Sequence, residues 1–222
     1  MNPTAKTRIA SIAFAVTLTV GAIVLAPTQA RGATTTQPTS GPGWKFLTNV
    51  THADGKPFTI AFHDTTSRTK LTPYVRNVAA ELTSYGIPVV VSTRIVPTTK
   101  GKCPPSHTIA YRWISKPNPA VPNQSFTGTC TLAGAPYSAY VYINSDYWAT
   151  GRRFPEWQRM NVIWHESGHA VGLSHPATCP TNKAGYKPLM CADAYKDLRD
   201  RRYTSFEATA FRQLNTNRLA LR

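Results

Sequence analysis

Eleven residues, His165-Glu166-Ser167-Gly168-His169-Ala170-Val171-Gly172-Leu173-Ser174-His175, combine three imidazoles with one carboxylate at spacings that suit metal chemistry. Residues four apart share one face of an α-helix, so His165 and His169 can aim nitrogens at a single ion. Glu166, one position on, is rotated by about 100° and reaches a water beside the ion more readily than the ion itself. On a continuing helix His175 would lie about 15 Å along the axis from His165, so the helix must end and the chain turn back. Gly172 is the residue type that tolerates the left-handed conformation such a turn needs. Three neutral nitrogen ligands leave the fourth tetrahedral position of Zn2+ to water, as in catalytic and not structural sites. Zinc acidifies that water and polarises a carbonyl, while Glu166 takes the proton and returns one to the departing amine. The spacing therefore predicts one catalytic ion held by His165, His169 and His175, with Glu166 as general base. A bare His-Glu-x-x-His also occurs on ordinary helices; Gly172 and His175 in register set this one apart. His52, His63 and His107 have no partner at ligand spacing and read as ordinary surface or core histidines.

The motif needs a helix, and Pro155 to Leu173 reads as one, with Trp157, Met160, Ile163 and Trp164 on its apolar side. Upstream, Phe58 to Phe62 alternates after the turn signal Asp54-Gly55 and reads as a strand. A helix follows: Thr72 can cap it, Pro73 suits its first turn, and Leu71, Val75, Val78, Ala79 and Leu82 recur at helical spacing until Gly86. Val89 to Val96 reads as a buried strand, Thr108 to Ile114 and Tyr137 to Asn144 as two more, and the Pro-rich Lys116 to Pro122 as loop. Ser174 to Tyr203 is irregular. Thr204-Ser205-Phe206-Glu207 is a capping-box pattern opening a last helix that carries Phe206, Ala210, Phe211 and Leu214. There is no internal repeat. The order β-α-β-β-β-α-loop-α predicts an α+β fold: a mixed sheet with two long helices, then a small irregular C-terminal part ending in a helix.

Composition narrows the class of protein. Of 222 residues 41% are hydrophobic, which excludes a disordered chain, and only 16% are charged, which excludes a long coiled coil. The balance of 25 Lys+Arg against 10 Asp+Glu attracts anions. Arg152-Arg153 and Arg199 to Arg202 lack the helix-plus-aromatic context of a nucleic-acid module and read as solvated faces, with only weak attraction to anionic cell-wall polymers or acidic proteins expected. Scattered acids predict no dedicated calcium cage. At the start, Lys6 and Arg8, the charge-free run Ile9 to Leu25, Pro27 and Thr28-Gln29-Ala30 have the layout of a signal peptide cleaved after Ala30. The run is short and too rich in Ser, Thr and Gly for a retained membrane anchor. The expected organisation is signal peptide 1–30, flexible lead-in 31–43, and one monomeric catalytic domain 44–222, divided near 173. Four cysteines in an exported chain predict disulfides. Of three pairings, proximity favours Cys103 with Cys130 and Cys179 with Cys191.

HESGHAVGLSH resembles the extended zinc signature of the metzincin clan of metalloendopeptidases. The resemblance implies a zincin fold over roughly Trp44 to Asn217 and a methionine in a tight turn beneath the metal. Pro188-Leu189-Met190-Cys191, fifteen residues after His175, matches that place, against the alternative of a gap-filling core methionine. Small size and the Cys179/Cys191 loop are similar to the small secreted bacterial enzymes of the snapalysin type. Those have Asp as third ligand, whereas His175 is the matrixin choice. Ala192 stands where some members carry a tyrosine two residues after the methionine, leaving Tyr186 or Tyr195 as substitutes, and no pro-segment ligand is visible. The clan binds extended peptides antiparallel to an edge strand above the zinc helix. By order, Tyr140, Val141, Tyr142, Ile143 and Asn144 form the candidate strand, and Ala177 to Met190 the pocket wall. The expected function is a secreted zinc endopeptidase. Its rivals are a non-catalytic basic protein with structural zinc, which would have no need of Glu166, and a zinc hydrolase of cell-wall peptides.

Overall fold

The computed structural model describes residues 37–47, 50, 52–149, 154–183, 185–192 and 202–220. The expected signal peptide, Arg152-Arg153, Tyr195 and residues 199–201 lie outside them. The architecture is α+β. Its main sheet is built from β3 (Phe58–Phe62), β4 (Val89–Ile95), β5 (Thr108–Ile114), β6 (Phe126–Leu132) and β7 (Ala135–Asn144). Their order across the sheet is β4-β3-β5-β7-β6, after two short strands, β1 (Ser40–Gly41) and β2 (Trp44–Phe46). Neighbours from β4 to β7 run parallel, and β6 runs antiparallel to β7. The sheet is therefore mixed.

Helix α1 (Thr65–Ser84) lies over β3, β4 and β5, and α2 (Glu156–Ala170) over β6 and β7, on the same face. Phe58, Ile60, Phe62, Ile109, Tyr111, Val141 and Ile143 meet Leu71, Val75, Val78, Leu82, Ile163 and Trp164 in one core. That core continues through Leu189 and Met190 to Phe211 and Leu214 of α3 (Ser205–Leu219), so the irregular C-terminal part shares it. A second anchor is polar: Glu81 of α1 accepts hydrogen bonds from Trp164 Nε1 at 2.8 Å and Tyr85 Oη at 3.1 Å. The capping box of α3 is present, with Thr204 as N-cap. Among the described residues no helix is long and apolar enough to cross a membrane.

Four expectations need correction. Helix α1 does not start at Thr72: Asp64 caps it, accepting from the Ser67 N–H at 2.6 Å, and Pro73 lies inside. The Thr-Pro signal misleads because Asp64 satisfies the end two turns earlier. Strand β4 is not buried. It forms a sheet edge, with Val90 54% exposed. Tyr140 to Asn144 is not an edge strand, because β7 is paired on both sides, by β5 and β6. The edge belongs to β6, where Thr and Gly replace the apolar alternation that would mark a strand. Gly128 is required there: a Cβ at that position would enter the ring of Tyr140.

The fourth correction concerns the lead-in, whose described part, 37–43, is docked. Ser40–Gly41 pairs antiparallel with Trp44–Lys45, and β2 pairs with β8 (Leu173–Ser174). Gly43, at φ +71°, makes the turn. Two-residue strands carry no periodicity, so composition alone reads as linker; the buried Trp44 and Phe46 supply the driving force.

Candidate metal centre

The three motif histidines come together at one point. Their Nε2 atoms form a triangle with sides of 3.1, 3.1 and 3.2 Å. Two come from successive turns of α2. The third arrives because Gly172, at φ +109°, reverses the chain and β8 then clamps it to β2, with the Leu47 N–H donating to the Gly172 carbonyl at 3.0 Å. A Cβ at Gly172 would lie 2.6 Å from Val50 Cγ1, so the turn is sterically closed as well as left-handed.

Hydrogen bonding assigns the tautomers. His165 Nδ1 lies 2.9 Å from the Leu189 carbonyl, and His169 Nδ1 lies 2.7 Å from that of Leu173. A carbonyl only accepts, so both Nδ1 atoms carry hydrogen and both Nε2 atoms present lone pairs. Burial, the largest cause, pushes His165 down to about 3, aided by His169 and opposed by the Leu189 carbonyl. Burial likewise pushes His169 down to about 4, opposed by Leu173, and lowers His175. These are neutral nitrogen donors packed closer than lone pairs tolerate, with at most one N–H among them to share. An electron-pair acceptor resolves that conflict. Tetrahedral coordination at about 2.0–2.1 Å separates nitrogens by about 3.3–3.4 Å, close to the triangle observed. The trio can hold a metal ion.

Depressed histidines have a consequence for the metal-free protein. Below the ordinary value of 6.5 an unfolded chain protonates these groups while the folded one resists down to about 4 and 3. The unfolded state then binds more protons at these sites, so the histidines' contribution to metal-free stability falls as pH drops through 6.5 and goes on falling until the folded values are reached. Burial raises the Glu166 and Glu207 carboxyls, whose contribution runs the other way. The check is therefore chemical denaturation in chelator of the parent beside His169→Gln at pH 7.5 and 5. The parent is expected to lose more stability on acidification than the variant, and an equal loss contradicts the histidine contribution.

Around the trio the site is braced by hydroxyls and one thioether. Glu166 is buried; burial raises its carboxyl to about 7, against the pull of the hydrogen bond from Thr127. Thr127 Oγ1 lies 2.7 Å from Glu166 Oε2 and 3.0 Å from the Glu166 carbonyl, and Thr129 Oγ1 donates to the carbonyl of His169. Beneath α2, Tyr111 Oη and Ser167 Oγ are 2.6 Å apart. Met190 is fully buried in a turn closed by the Cys191 N–H on the Pro188 carbonyl, 3.1 Å. A Cβ on Gly168 would lie 2.5 Å from Met190 Sδ, so glycine between the two helical histidines is what lets that sulfur approach. Glu207, the capping-box acid of α3, also accepts from the Met190 N–H at 3.0 Å.

The site opens into a cleft of about 470 Å³ that follows β6, from Thr129, His169 and His175 past Glu166 and Thr127 to Ser125 and Gln124. Leu47, Phe126, Val162, Tyr147 and Ala192 complete its walls. The disulfides are Cys103–Cys130, tying a loop to β6, and Cys179–Cys191, beside Met190. Tyr186 packs against the core and does not line the cleft. His63 accepts the Thr98 N–H, and His107 pairs with Asp54 and Ser106, away from the trio. Thr127 and Thr129 were invisible to motif reading, yet Thr127-Gly128-Thr129-Cys130-Thr131 repeats a hydroxyl every second residue, a period-two signal in polar side chains. No protein-family model matches the chain, and no curated protein matches it.

Proposed function

We propose that this protein is an exported zinc endopeptidase built on the metzincin plan. The observation that carries the reading is the convergence of three imidazole Nε2 atoms beside a buried carboxyl group, within a cleft that runs along a sheet edge. Zinc bound to His165, His169 and His175 would supply an acidified water and a Lewis-acid contact for the scissile carbonyl. Glu166 is the general base. It takes the proton of the attacking water and delivers it to the departing amine, so the peptide is cut without a covalent intermediate. Thr127 fixes the Glu166 carboxylate through Oε2, leaving Oε1 for that proton.

Substrate lies extended along β6, whose second edge pairs with no other strand among the described residues. Main-chain hydrogen bonds there hold the peptide, and side-chain pockets select it. Met190 packs against Gly168 and the Leu189 carbonyl orients His165, so this turn would support the ligands of a bound metal, which favours the Met-turn over a mere gap filler. Both disulfides suit an oxidising compartment, in keeping with export.

Casein or gelatin cleavage by the chain lacking residues 1–30, with and without chelator and with zinc restored, tests the reading. Cleavage that survives complete removal of metal refutes it. The Cys179–Cys191 staple, with a separation of 12, adds on the order of 3 kcal/mol by loop entropy. It also holds Met190 and Ala192 beside the site. Selective reduction is expected to impair cleavage before circular dichroism registers loss of the sheet; unchanged kinetics count against that role.

A further inference from the structure

A second cavity borders the cleft. Tyr147 forms the wall between them: it lines the cleft and also, with Asn123, Asn144, Asp146 and Phe154, a cavity of about 320 Å³. One wall is aromatic, a stack of the Tyr147 and Phe154 rings at 4.4 Å with planes 10° apart. Most polar groups on the walls are committed. Tyr147 Oη donates to the Asn123 carbonyl at 2.8 Å and accepts from the Ser125 N–H at 3.0 Å. Asn144 Nδ2 donates to the Pro122 carbonyl, while its Oδ1 accepts from the N–H groups of Lys116 and Asp146.

Asp146 differs. One carboxylate oxygen accepts from Ser115 Oγ at 2.7 Å, and no Lys or Arg among the described residues pairs with it. The ion pairs there join Asp54 with His107 and Glu156 with Arg159. Among the described residues, then, the cavity carries a carboxylate with no cation. A flat aromatic wall and a carboxylate with no cation among the described residues suit a long side chain with an apolar stem and a cationic head. Aromatic faces favour the planar guanidinium over an ammonium.

We propose that this chamber receives a basic side chain of the substrate, arginine ahead of lysine, at a position flanking the scissile bond on the Gln124–Ser125 side, with Asp146 as specificity-determining residue. The inference rests on the peptidase reading for the nature of the substrate. It is tested with quenched fluorescent peptides that carry arginine, lysine, citrulline or glutamate at each position flanking the cleaved bond. Asp146→Asn retains an acceptor for Ser115, and an unchanged melting temperature verifies its fold. At one position kcat/KM is expected to be about tenfold higher for arginine than for citrulline, a step of about 1.4 kcal/mol, and to fall to near parity in Asp146→Asn. Equal cleavage of the arginine and citrulline peptides at every position overturns the proposal, as does an arginine preference that survives in Asp146→Asn. Fluorescence anisotropy of the same peptides in chelator separates the two readings. If nothing is cut but arginine-dependent binding still needs Asp146, the peptidase reading fails and the chamber assignment stands. Binding indifferent to arginine against citrulline overturns the chamber assignment.

Discussion

Glu166→Ala is expected to lose peptide cleavage by about 10³-fold or more while binding metal as the parent does. The two halves of that result come from different features. Metal is retained because the three Nε2 donors and the carbonyls that orient two of them do not involve the Glu166 carboxylate. Cleavage is lost because no other described carboxylate lines the cleft; the remaining titratable groups there are the trio and Tyr147, whose hydroxyl is committed to Asn123 and Ser125. Stability should hold or rise. Burial works against the charged carboxylate, and its removal frees Thr127 to donate to the Glu166 carbonyl, already 3.0 Å away. Glu166→Gln should behave alike, since an amide fills the space and accepts from Thr127 but takes no proton. The measurements are kcat/KM, metal content and melting temperature on the same preparations. Loss of metal together with activity would mean that Glu166 braces the site and performs no proton transfer.

Gly172→Ala is expected to damage the site from outside it. Its φ of +109° is disfavoured for alanine, and the added Cβ would stand 2.6 Å from Val50 Cγ1. Strain and overpacking together cost about 2–5 kcal/mol, lowering the melting temperature by roughly 10 °C. Relief requires the chain to leave the turn, which pulls Leu173 and Ser174 from β2 and carries His175 away from the two helical histidines. Metal affinity should therefore fall along with stability. Gly101→Ala is the control: Gly101 has φ +78° but nothing within 4 Å of its Cβ position, so it bears backbone strain of about 1 kcal/mol without touching the site. Competition with a chromophoric chelator reads the affinity. If Gly172→Ala binds metal like the parent, the turn does not place the third ligand.

The motif was legible because its logic is local. Helical periodicity places His165 and His169 together, and a glycine three residues later marks where the helix must stop, whatever the rest of the chain does. Cysteine pairing by proximity and the capping box of α3 were legible for the same reason. Tertiary structure decided what depends on residues far apart. Which strand holds the sheet edge follows from strand order, and β6 hides from pattern reading because its alternate residues are threonines bonded to α2 and a glycine that makes room for Tyr140. The clamp of β2 on β8 rests on two-residue pairings more than a hundred residues apart, too short to leave a period. Neutrality of the imidazoles, the lone pairs they present and the raised carboxyl of Glu166 all come from burial and from carbonyls supplied by other segments. Residue type states which chemistry is available; desolvation and distant hydrogen-bond partners set the protonation state in which it is held.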